Sequence, residues 1–406
     1  MSRPKEVIIS VTNRCNCSCI MCNIPRSAPE ELSFEVVIGI IDDAQALGAS
    51  TVVFSGGEPM LQKEIFQLVS YAHGKNMSAC ITSNGILIDE EAAFKLSEAG
   101  VNVVNISVEG PAAVHDSLRG EDTFDKAVNA LRNLAKAGIE TTIATVISRY
   151  NYKHLKGVAE LALKEGVTTL KFQPFSELFL SPDSTSAAGF FLSEEEASEL
   201  ETVIKEVIDI CQKNGIATNP YFYLKKIPAY LSGRLSLEKN TCSALWDSCP
   251  IDSSGRVYPC WVLNQDKYLL GNVKNKRLID IWESGRHRNI RESILREGCR
   301  GCMMSCYDEV YGTDEIEQKI YSSLKNIRNR GFPEWIRANS KKTVRRFRFF
   351  ASYRGGAKKI IKRFRAVFKY HVPDYPLEEK TEIRNELQKL EDAKILLDKQ
   401  KRDKDS

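Results

Sequence analysis

The sequence has no run of about 18 apolar residues, so no segment predicts a membrane-spanning helix. Its start, MSRPKEVIISV, lacks the apolar stretch and the small-residue cleavage site of a secretory signal peptide. With 43% apolar and 27% charged residues, the 406-residue chain has the composition of a soluble globular protein, which excludes a disordered or fibrous one. We therefore expect a cytoplasmic protein.

Histidine is scarce. None of the five histidines stands beside an evident catalytic partner, so the sequence does not identify a general base. They are His73, His115, His154, His287 and His371.

Cysteine, in contrast, is abundant, and ten of the twelve cysteines fall in two groups, at 15–22 and 242–306. Because cytosolic thiols are kept reduced, clustered cysteines there predict metal or redox chemistry before disulfides. Cys80 and Cys211 stand alone, and we expect both to be small buried residues rather than ligands.

Short β-rich runs alternate with helical patterns up to about residue 175. The predicted strands are 6–11, 51–55, 77–83, 101–108, 141–147 and 169–175. The predicted helices are 33–48, 62–75, 89–99, 122–137, 151–165 and 193–213, with a loop at 176–192. Five glycines are predicted to end helices in the left-handed conformation: Gly48, Gly74, Gly100, Gly138 and Gly166.

This alternation indicates an α/β fold in which helices cover a parallel sheet. Six βα units are too few for a closed eight-stranded barrel. We therefore predict a partial (βα)6 TIM-like barrel.

The first cysteine group lies directly after the first predicted strand, in TNRCNCSCIMC at 12–22. Cys15, Cys19 and Cys22 have the spacing C-x3-C-x2-C, and Cys17 is an alternative to Cys15 or Cys19. A zinc site normally has four ligands in two separated pairs. Three thiolates in one loop favour a cubane iron–sulfur cluster with one iron left open.

This spacing, followed by FSGGEP at 54–59 after the second strand, resembles the radical S-adenosylmethionine (radical SAM) superfamily. The resemblance implies a [4Fe–4S] cluster bound by Cys15, Cys19 and Cys22, whose fourth iron is chelated by SAM. It also implies reductive cleavage of SAM to a 5′-deoxyadenosyl radical, which abstracts hydrogen from a substrate.

Three further loops resemble the SAM-binding loops of this superfamily. Gly56 and Gly57 would let the backbone approach SAM closely, and Glu58, before Pro59, would bind its ammonium group. In TSNG and ISVEG, the expected ribose contacts are Ser83, Asn84, Ser107 and Glu109, although many relatives have aspartate in place of Glu109. In HDSLRG at 115–120, His115 and Arg119 are expected to hold a loop.

The second cysteine group resembles the C-terminal auxiliary-cluster domain called SPASM, or twitch in its shortened form. The resemblance implies a second [4Fe–4S] cluster on Cys242, Cys260, Cys299 and Cys302, with Cys249 and Cys306 as rival ligands. The full form has seven cysteines and this chain has six, which favours one auxiliary cluster. A second cluster with an open or non-cysteine position, or a zinc site, stays an alternative.

Residues 341–370 contain twelve lysines or arginines and no acidic residue. Within them, 357–370 predicts a basic amphipathic helix, which is typical of peripheral contact with a membrane surface. Contact with the protein's own surface or a partner, or with nucleic acid, is an alternative. Residues 378–406 predict a solvated helix that ends in disorder.

We thus predict three domains: a radical SAM barrel at 1–235, an auxiliary-cluster domain at 236–312 and a basic helical extension at 313–406. The expected activity is hydrogen abstraction followed by net oxidation or bond formation. The substrate is a small metabolite, a sugar, a lipid-linked molecule or a peptide, although no leader-peptide module precedes the barrel.

A flavodoxin or ferredoxin is expected to donate electrons, and the protein is expected in the cytoplasm or at the inner face of the membrane. The alternatives are an RNA-modifying radical SAM enzyme and a non-catalytic iron–sulfur redox sensor.

Overall fold

The structure, a computed structural model, describes residues 4–177, 180, 187–235, 247–297 and 302–304. The chain divides into two units, Met1–Gly312 and Thr313–Ser406, and the described residues all belong to the first. The predicted basic extension, the segment 341–370 and the cysteines Cys242, Cys299 and Cys306 lie outside the described residues. The predicted domain limits stay predictions.

The strands of the described residues belong to one sheet. They are β1 (Glu6–Thr12), β2 (Thr51–Gly56), β3 (Ser78–Ser83), β4 (Val103–Ser107), β5 (Glu140–Ile147), β6 (Thr169–Pro174), β7 (Ala217–Thr218), β8 (Ser248–Ile251), β9 (Arg256–Val257) and β10 (Gly271–Asn272). Six of them match the six predicted strands within two residues at each end.

Strands β1 to β7 pair in sequence order and run parallel. On the other side of β1, β8 is also parallel, and the antiparallel β9 and β10 follow it. The two edges are β7 and β10, so the described strands do not close into a full barrel. The predicted α/β fold with a partial barrel is confirmed.

The helices are α1 (Phe34–Ala46), α2 (Ile65–Gly74), α3 (Glu90–Glu98), α4 (Ala112–Arg119), α5 (Phe124–Lys136), α6 (Leu155–Lys164), α7 (Glu194–Asn214), α8 (Tyr221–Leu224), α9 (Ile227–Leu231), α10 (Leu278–Trp282) and α11 (Gly285–Glu297). Side chains fix several of their N-termini. The Ser33 and Asp89 side chains accept backbone hydrogen bonds at the starts of α1 and α3, and Ser193 forms a capping box with Glu196 at the start of α7.

One detail of the sequence prediction was wrong. Gly74 lies inside α2, and the left-handed residue after this helix is Asn76, with φ of 58°. Asparagine tolerates this conformation better than most residues because its short side chain bonds locally. Most of the HDSLRG segment belongs to α4.

The alternation of buried and half-buried residues along the strands separates the core from the interior of the barrel. Val52 and Phe54 of β2 are fully buried beneath the helices, whereas the alternate residues Val53 and Ser55 are half-buried. Of the two isolated cysteines, Cys211 is buried as predicted, and Cys80 on β3 is half-buried. Polar residues at and after the carboxyl ends of these strands come together at one end of the barrel.

A polar contact joins the segment after β10 to the barrel. Asp43 of α1 has only 4% of its side chain exposed and accepts a hydrogen bond from the Arg277 Nε at 3.1 Å. Its other oxygen accepts from the Ile279 backbone N–H at 3.4 Å, at the start of α10. This buried carboxylate therefore fixes α10 against α1.

We predict that Asp43→Ala lowers the free energy of unfolding by about 1–2 kcal/mol, because the Arg277 guanidinium and the Ile279 N–H lose the buried carboxylate that accepts their hydrogen bonds. Chemical denaturation of the anaerobically handled protein measures the change. Asp209→Ala on the exposed face of α7 is the control and should change little. Equal stability of the two variants would contradict the anchoring role.

Candidate functional site

A cleft of about 200 Å³ lies at the carboxyl ends of the parallel strands. This is the edge at which open α/β sheets bind their ligands. The lining includes Cys15, Cys17, Cys19 and Cys22 after β1, Ser55, Gly56 and Gly57 after β2, Ser83 and Asn84 after β3, and Ser107 and Arg119. The structure therefore brings the cysteine loop and three of the predicted motifs together.

The four thiols are not equivalent. Cys17, 6% exposed, lies between Cys15 and Cys19 within hydrogen-bonding reach of both, and these contacts raise its pKa. The same contact with Cys17 lowers the pKa of Cys15 and, together with Arg119, lowers that of Cys19 to about 6. Burial raises the pKa of Cys22. The three thiols therefore affect one another's pKa, and Arg119 acts on Cys19 in addition.

The donor set fits an iron–sulfur cluster. Thiolates are the ligands of such clusters, and a low pKa favours the thiolate form. Among the residues described, no three histidine, cysteine or acidic side chains already converge at metal-binding distance.

Gly56 and Gly57 serve a backbone contact that the sequence analysis did not foresee. A Cβ on Gly56 would lie 2.2 Å from the Thr12 carbonyl oxygen, and one on Gly57 would lie 2.2 Å from that of Arg14. Gly56 also has φ of 126°, which disfavours a side chain. The Gly57 and Glu58 N–H groups donate to these two carbonyls, each at 2.8 Å. The glycines therefore allow the β2 loop to dock against the cysteine loop.

Glu58 is fully buried, and its carboxylate accepts three hydrogen bonds from this chain. The donors are the Met60 N–H at 3.1 Å, the Ser83 hydroxyl at 2.8 Å and the Asn84 N–H at 2.8 Å. Burial raises the pKa of Glu58, and the hydrogen bonds oppose that rise. The carboxylate expected to contact an ammonium thus connects the loops after β2 and β3, next to the buried Pro59.

Asn84 extends this network to the cysteines. Its side-chain Nδ2 donates to the Asn16 Oδ1 at 2.7 Å and lies 3.8 Å from the Cys15 sulfur. Its Oδ1 accepts from the Ile86 N–H at 2.9 Å. A continuous set of hydrogen bonds therefore runs from Glu58 through Asn84 to the cysteine loop.

Glu109 and Arg119 form a buried ion pair behind the cleft. Glu109 is fully buried, its Oε1 accepts from the Arg119 Nε at 2.8 Å, and its Oε2 accepts from the Val146 N–H at 2.8 Å. The Arg119 Nη1 lies 3.9 Å from the Cys19 sulfur. Glu109 thus holds a guanidinium beside the cysteine loop, and its expected contact with a ribose stays a prediction.

His115, one turn before Arg119 on α4, supports this ion pair through a hydrogen bond with the Glu109 backbone. Burial, with the neighbouring Arg119 charge, lowers the pKa of His115 to about 4. The neutral ring accepts the Glu109 N–H on Nδ1 at 3.2 Å. The Leu118 carbonyl accepts the Ile20 N–H at 3.0 Å, so α4 also holds the cysteine loop.

The sequence predicts Arg119 as a residue that holds a loop, but not its approach to Cys19, and it does not predict Asn16 at all. The i to i+4 spacing of His115 and Arg119, which places both on one face of a helix, was the available signal. No sequence signal pointed to Asn16.

The second cysteine group is described in part. Cys260, 7% exposed, belongs to a small apolar cluster with Leu263, Ile294 and Met304, and the half-buried Cys302 packs against it. Cys249 lies elsewhere, fully buried in the main core, where burial raises its pKa. The structure thus brings two of the predicted auxiliary ligands together and separates one rival from them.

Comparison with protein families gives two matches. Residues 9–162 match the radical SAM superfamily, and residues 242–303 match SPASM, described as an iron–sulfur cluster-binding domain.

Among the described residues, no helix has both the length and the apolar character needed to cross a bilayer.

Several characterised proteins are similar to this chain. The mycofactocin maturase of Mycobacterium ulcerans is 30% identical over 300 residues, which cover 72% of this chain and 78% of that protein. The Fe-coproporphyrin III synthase of Methanosarcina barkeri is 28% identical, covering 68% and 73% of the two chains. The AdoMet-dependent heme synthase of Nitratidesulfovibrio vulgaris is 28% identical, covering 75% and 88%.

Solved structures share the fold. The anSMEcpe structure with bound AdoMet has a TM-score of 0.57 at 22% identity, covering 71% of this chain and 82% of that chain. Streptococcus suis SuiB bound to the precursor peptide SuiA has a TM-score of 0.57 at 19% identity, covering 72% and 67%.

The family fixes the cofactors: a [4Fe–4S] cluster with SAM in the barrel, and further iron–sulfur ligation in the SPASM domain. The positions of the motifs, the residues that line the cleft and the similar proteins all indicate the same superfamily. The chain belongs to the radical SAM superfamily, among its SPASM-containing enzymes.

Proposed function

We propose that this enzyme oxidises a peptide substrate by hydrogen abstraction and passes the remaining electron to its auxiliary cluster. The observation that carries this proposal is the proximity of the two cysteine groups. Gln173 lines the cleft, and its amide contacts Met304, which packs with Cys260. An electron acceptor beside the substrate cleft suits an oxidation.

We propose that Cys15, Cys19 and Cys22 hold the first cluster and that Cys17 does not. The first cluster with bound SAM supplies a 5′-deoxyadenosyl radical. Arg119, held by Glu109, places a positive charge beside the Cys19 sulfur, which favours the ionised thiol. Backbone groups of Gly56 and Gly57, with Ser83, Asn84 and Ser107, border the cleft and are proposed to hold SAM.

Part of the cleft lining is apolar. Met21, Ile24, Pro25, Val146 and Phe175 contribute this surface. We propose that it limits the access of water to the radical, which protects the radical from side reactions.

The proposed oxidation balances as follows. The substrate hydrogen atom ends on 5′-deoxyadenosine, one further electron goes to the auxiliary cluster, and a proton goes to solvent. We propose that this cluster is held by Cys242, Cys260, Cys299 and Cys302. Cys249 is proposed to be structural because it is buried in the main core.

The charge of the cleft favours a peptide over a tetrapyrrole with several carboxylates. Among the described residues that line the cleft, Arg119 is the only cation, and Glu109 already pairs with it. A multiply anionic substrate would need further cations. The mycofactocin maturase relatives and the SuiB complex with a precursor peptide also support a peptide.

We further propose a flavodoxin or ferredoxin as electron donor, because SAM cleavage consumes one electron. We propose a cytoplasmic location with peripheral membrane contact through 341–370. The twelve basic residues of that segment support this contact.

The ligand proposal predicts opposite results for two neighbouring cysteines. In the Cys242→Ala/Cys260→Ala background, which removes two of the four proposed auxiliary ligands and with them the auxiliary cluster, Cys19→Ala should lose the remaining iron and all SAM cleavage. Cys17→Ala should keep about four irons per chain, as a cubane requires. Anaerobic reconstitution, iron analysis and electron paramagnetic resonance measure this. Loss of the cluster in Cys17→Ala, with retention in Cys19→Ala, would reverse the assignment.

The buried network predicts that Glu58→Gln weakens SAM binding. The amide NH₂ would face a hydrogen-bond donor in place of one carboxylate oxygen, which costs about 1–3 kcal/mol. We expect a Kd for SAM raised about tenfold or more and a lower free energy of unfolding. Glu98→Gln, on the exposed end of α3, is the matched control. If Glu58→Gln bound SAM as tightly as the wild type, Glu58 would not support the SAM site.

The function is tested by 5′-deoxyadenosine formation from SAM in the reconstituted, dithionite-reduced enzyme. Separate reactions receive the peptide fraction of the source cells, Fe-coproporphyrin III or a membrane-lipid extract. We expect stimulation by the peptide fraction, with loss of substrate hydrogen detected by mass spectrometry. Stimulation only by Fe-coproporphyrin III or by lipid would replace the peptide with that substrate.

A further inference from the structure

The end of β6 forms the wall of the cleft that is nearest to the auxiliary cysteines. Gln173, near the end of β6, and Phe175 and Ser176, which follow it, all line the cleft. Phe175 is 1% exposed and stacks on Phe190, with ring centroids 4.2 Å apart and planes 11° apart. This wall is therefore held rigidly from behind.

One side chain connects this wall to the auxiliary segment. The Gln173 Nε2 donates to the Met304 sulfur at 3.4 Å. Met304 is 6% exposed and belongs to the same apolar cluster as Cys260, against which Cys302 packs. Gln173 and Met304, which contact each other, therefore lie between the cleft and the cysteines Cys260 and Cys302.

A second contact fixes the position of Met304. The Tyr223 hydroxyl, buried at the start of the chain segment after β7, donates to the Met303 carbonyl oxygen at 2.7 Å. Tyr230 on α9 adds a polar link. Its hydroxyl is hydrogen-bonded to Ser176, which lines the cleft, and lies near the Cys302 thiol. Residues 302–304 are therefore held against the β6 wall by more than one element.

We propose that Gln173 is a positioning residue that sets, through Met304, how the cleft and the auxiliary cluster are coupled. The inference rests on the proposed function. Its physical basis is the direction of the amide: the positive end of an N–H dipole points from the cleft wall at the Met304 sulfur, and Met304 packs in the same apolar group as Cys260. Such a dipole stabilises the reduced form of an iron–sulfur cluster and raises its potential.

Two variants remove this contact from opposite sides. Gln173→Leu removes the donor, and Met304→Leu removes the sulfur acceptor while nearly conserving volume. The first readout is the midpoint potential of the auxiliary cluster by electron paramagnetic resonance. It is measured in full-length protein carrying Cys15→Ala, Cys19→Ala and Cys22→Ala, so that only the auxiliary cluster contributes.

We expect a more negative potential in each single variant and the same value in the double variant, because both changes remove one interaction. Gln45→Leu, on the surface of α1, and Met77→Leu, buried in the main core, are the matched controls and should leave the potential unchanged. Wild-type potentials in both single variants, or additive shifts in the double variant, would overturn the proposal.

The second readout uses the intact enzyme, SAM and the peptide fraction. The yield of oxidised product per 5′-deoxyadenosine should fall at least fivefold in Gln173→Leu and Met304→Leu, and no further in the double variant. An unchanged yield in both variants would overturn the coupling. If the wild-type enzyme forms no product from peptide, the peptide proposal fails, and the potentials still decide the role of Gln173.

Discussion

The buried carboxylate of Glu58 is the interaction on which the rest of the site depends. Burying a carboxylate away from water costs free energy unless hydrogen-bond donors surround it. Here three donors from two loops do so. The requirement works in both directions. The loops after β2 and β3 satisfy the charge, and the charge keeps them close enough for Asn84 to reach the cysteine loop.

A second buried charge organises the opposite side of the cleft. Glu109 accepts hydrogen bonds from Arg119 and the Val146 N–H, so its charge fixes the guanidinium. Arg119 in turn approaches Cys19. Glu58 and Glu109 both have no exposed surface, and each carboxylate accepts from a residue that lines the cleft. Their predicted contacts with SAM stay predictions.

The two halves of the described unit form one continuous structure. β8 extends the sheet from β1, the strand that leads into the cysteine loop, and Asp43 fixes α10 against α1. Cys260 follows β9, and Met304 meets Gln173 at the end of β6. Cys260 and Met304 are thus placed by the same sheet that places the cleft.

The sequence by itself determined the alternation of strands and helices, because apolar periodicity and capping residues such as Ser33 and Ser193 are local signals. It also determined the motif loops, since C-x3-C-x2-C and GGEP are short and contiguous. Only the tertiary structure decided what those residues contact. The Gly56–Gly57 approach to Thr12 and Arg14, the burial of Glu58 and Glu109, the place of Cys17 between two thiols and the Gln173–Met304 contact all join distant segments. Such pairings depend on how strands align in the sheet, and no local pattern encodes them.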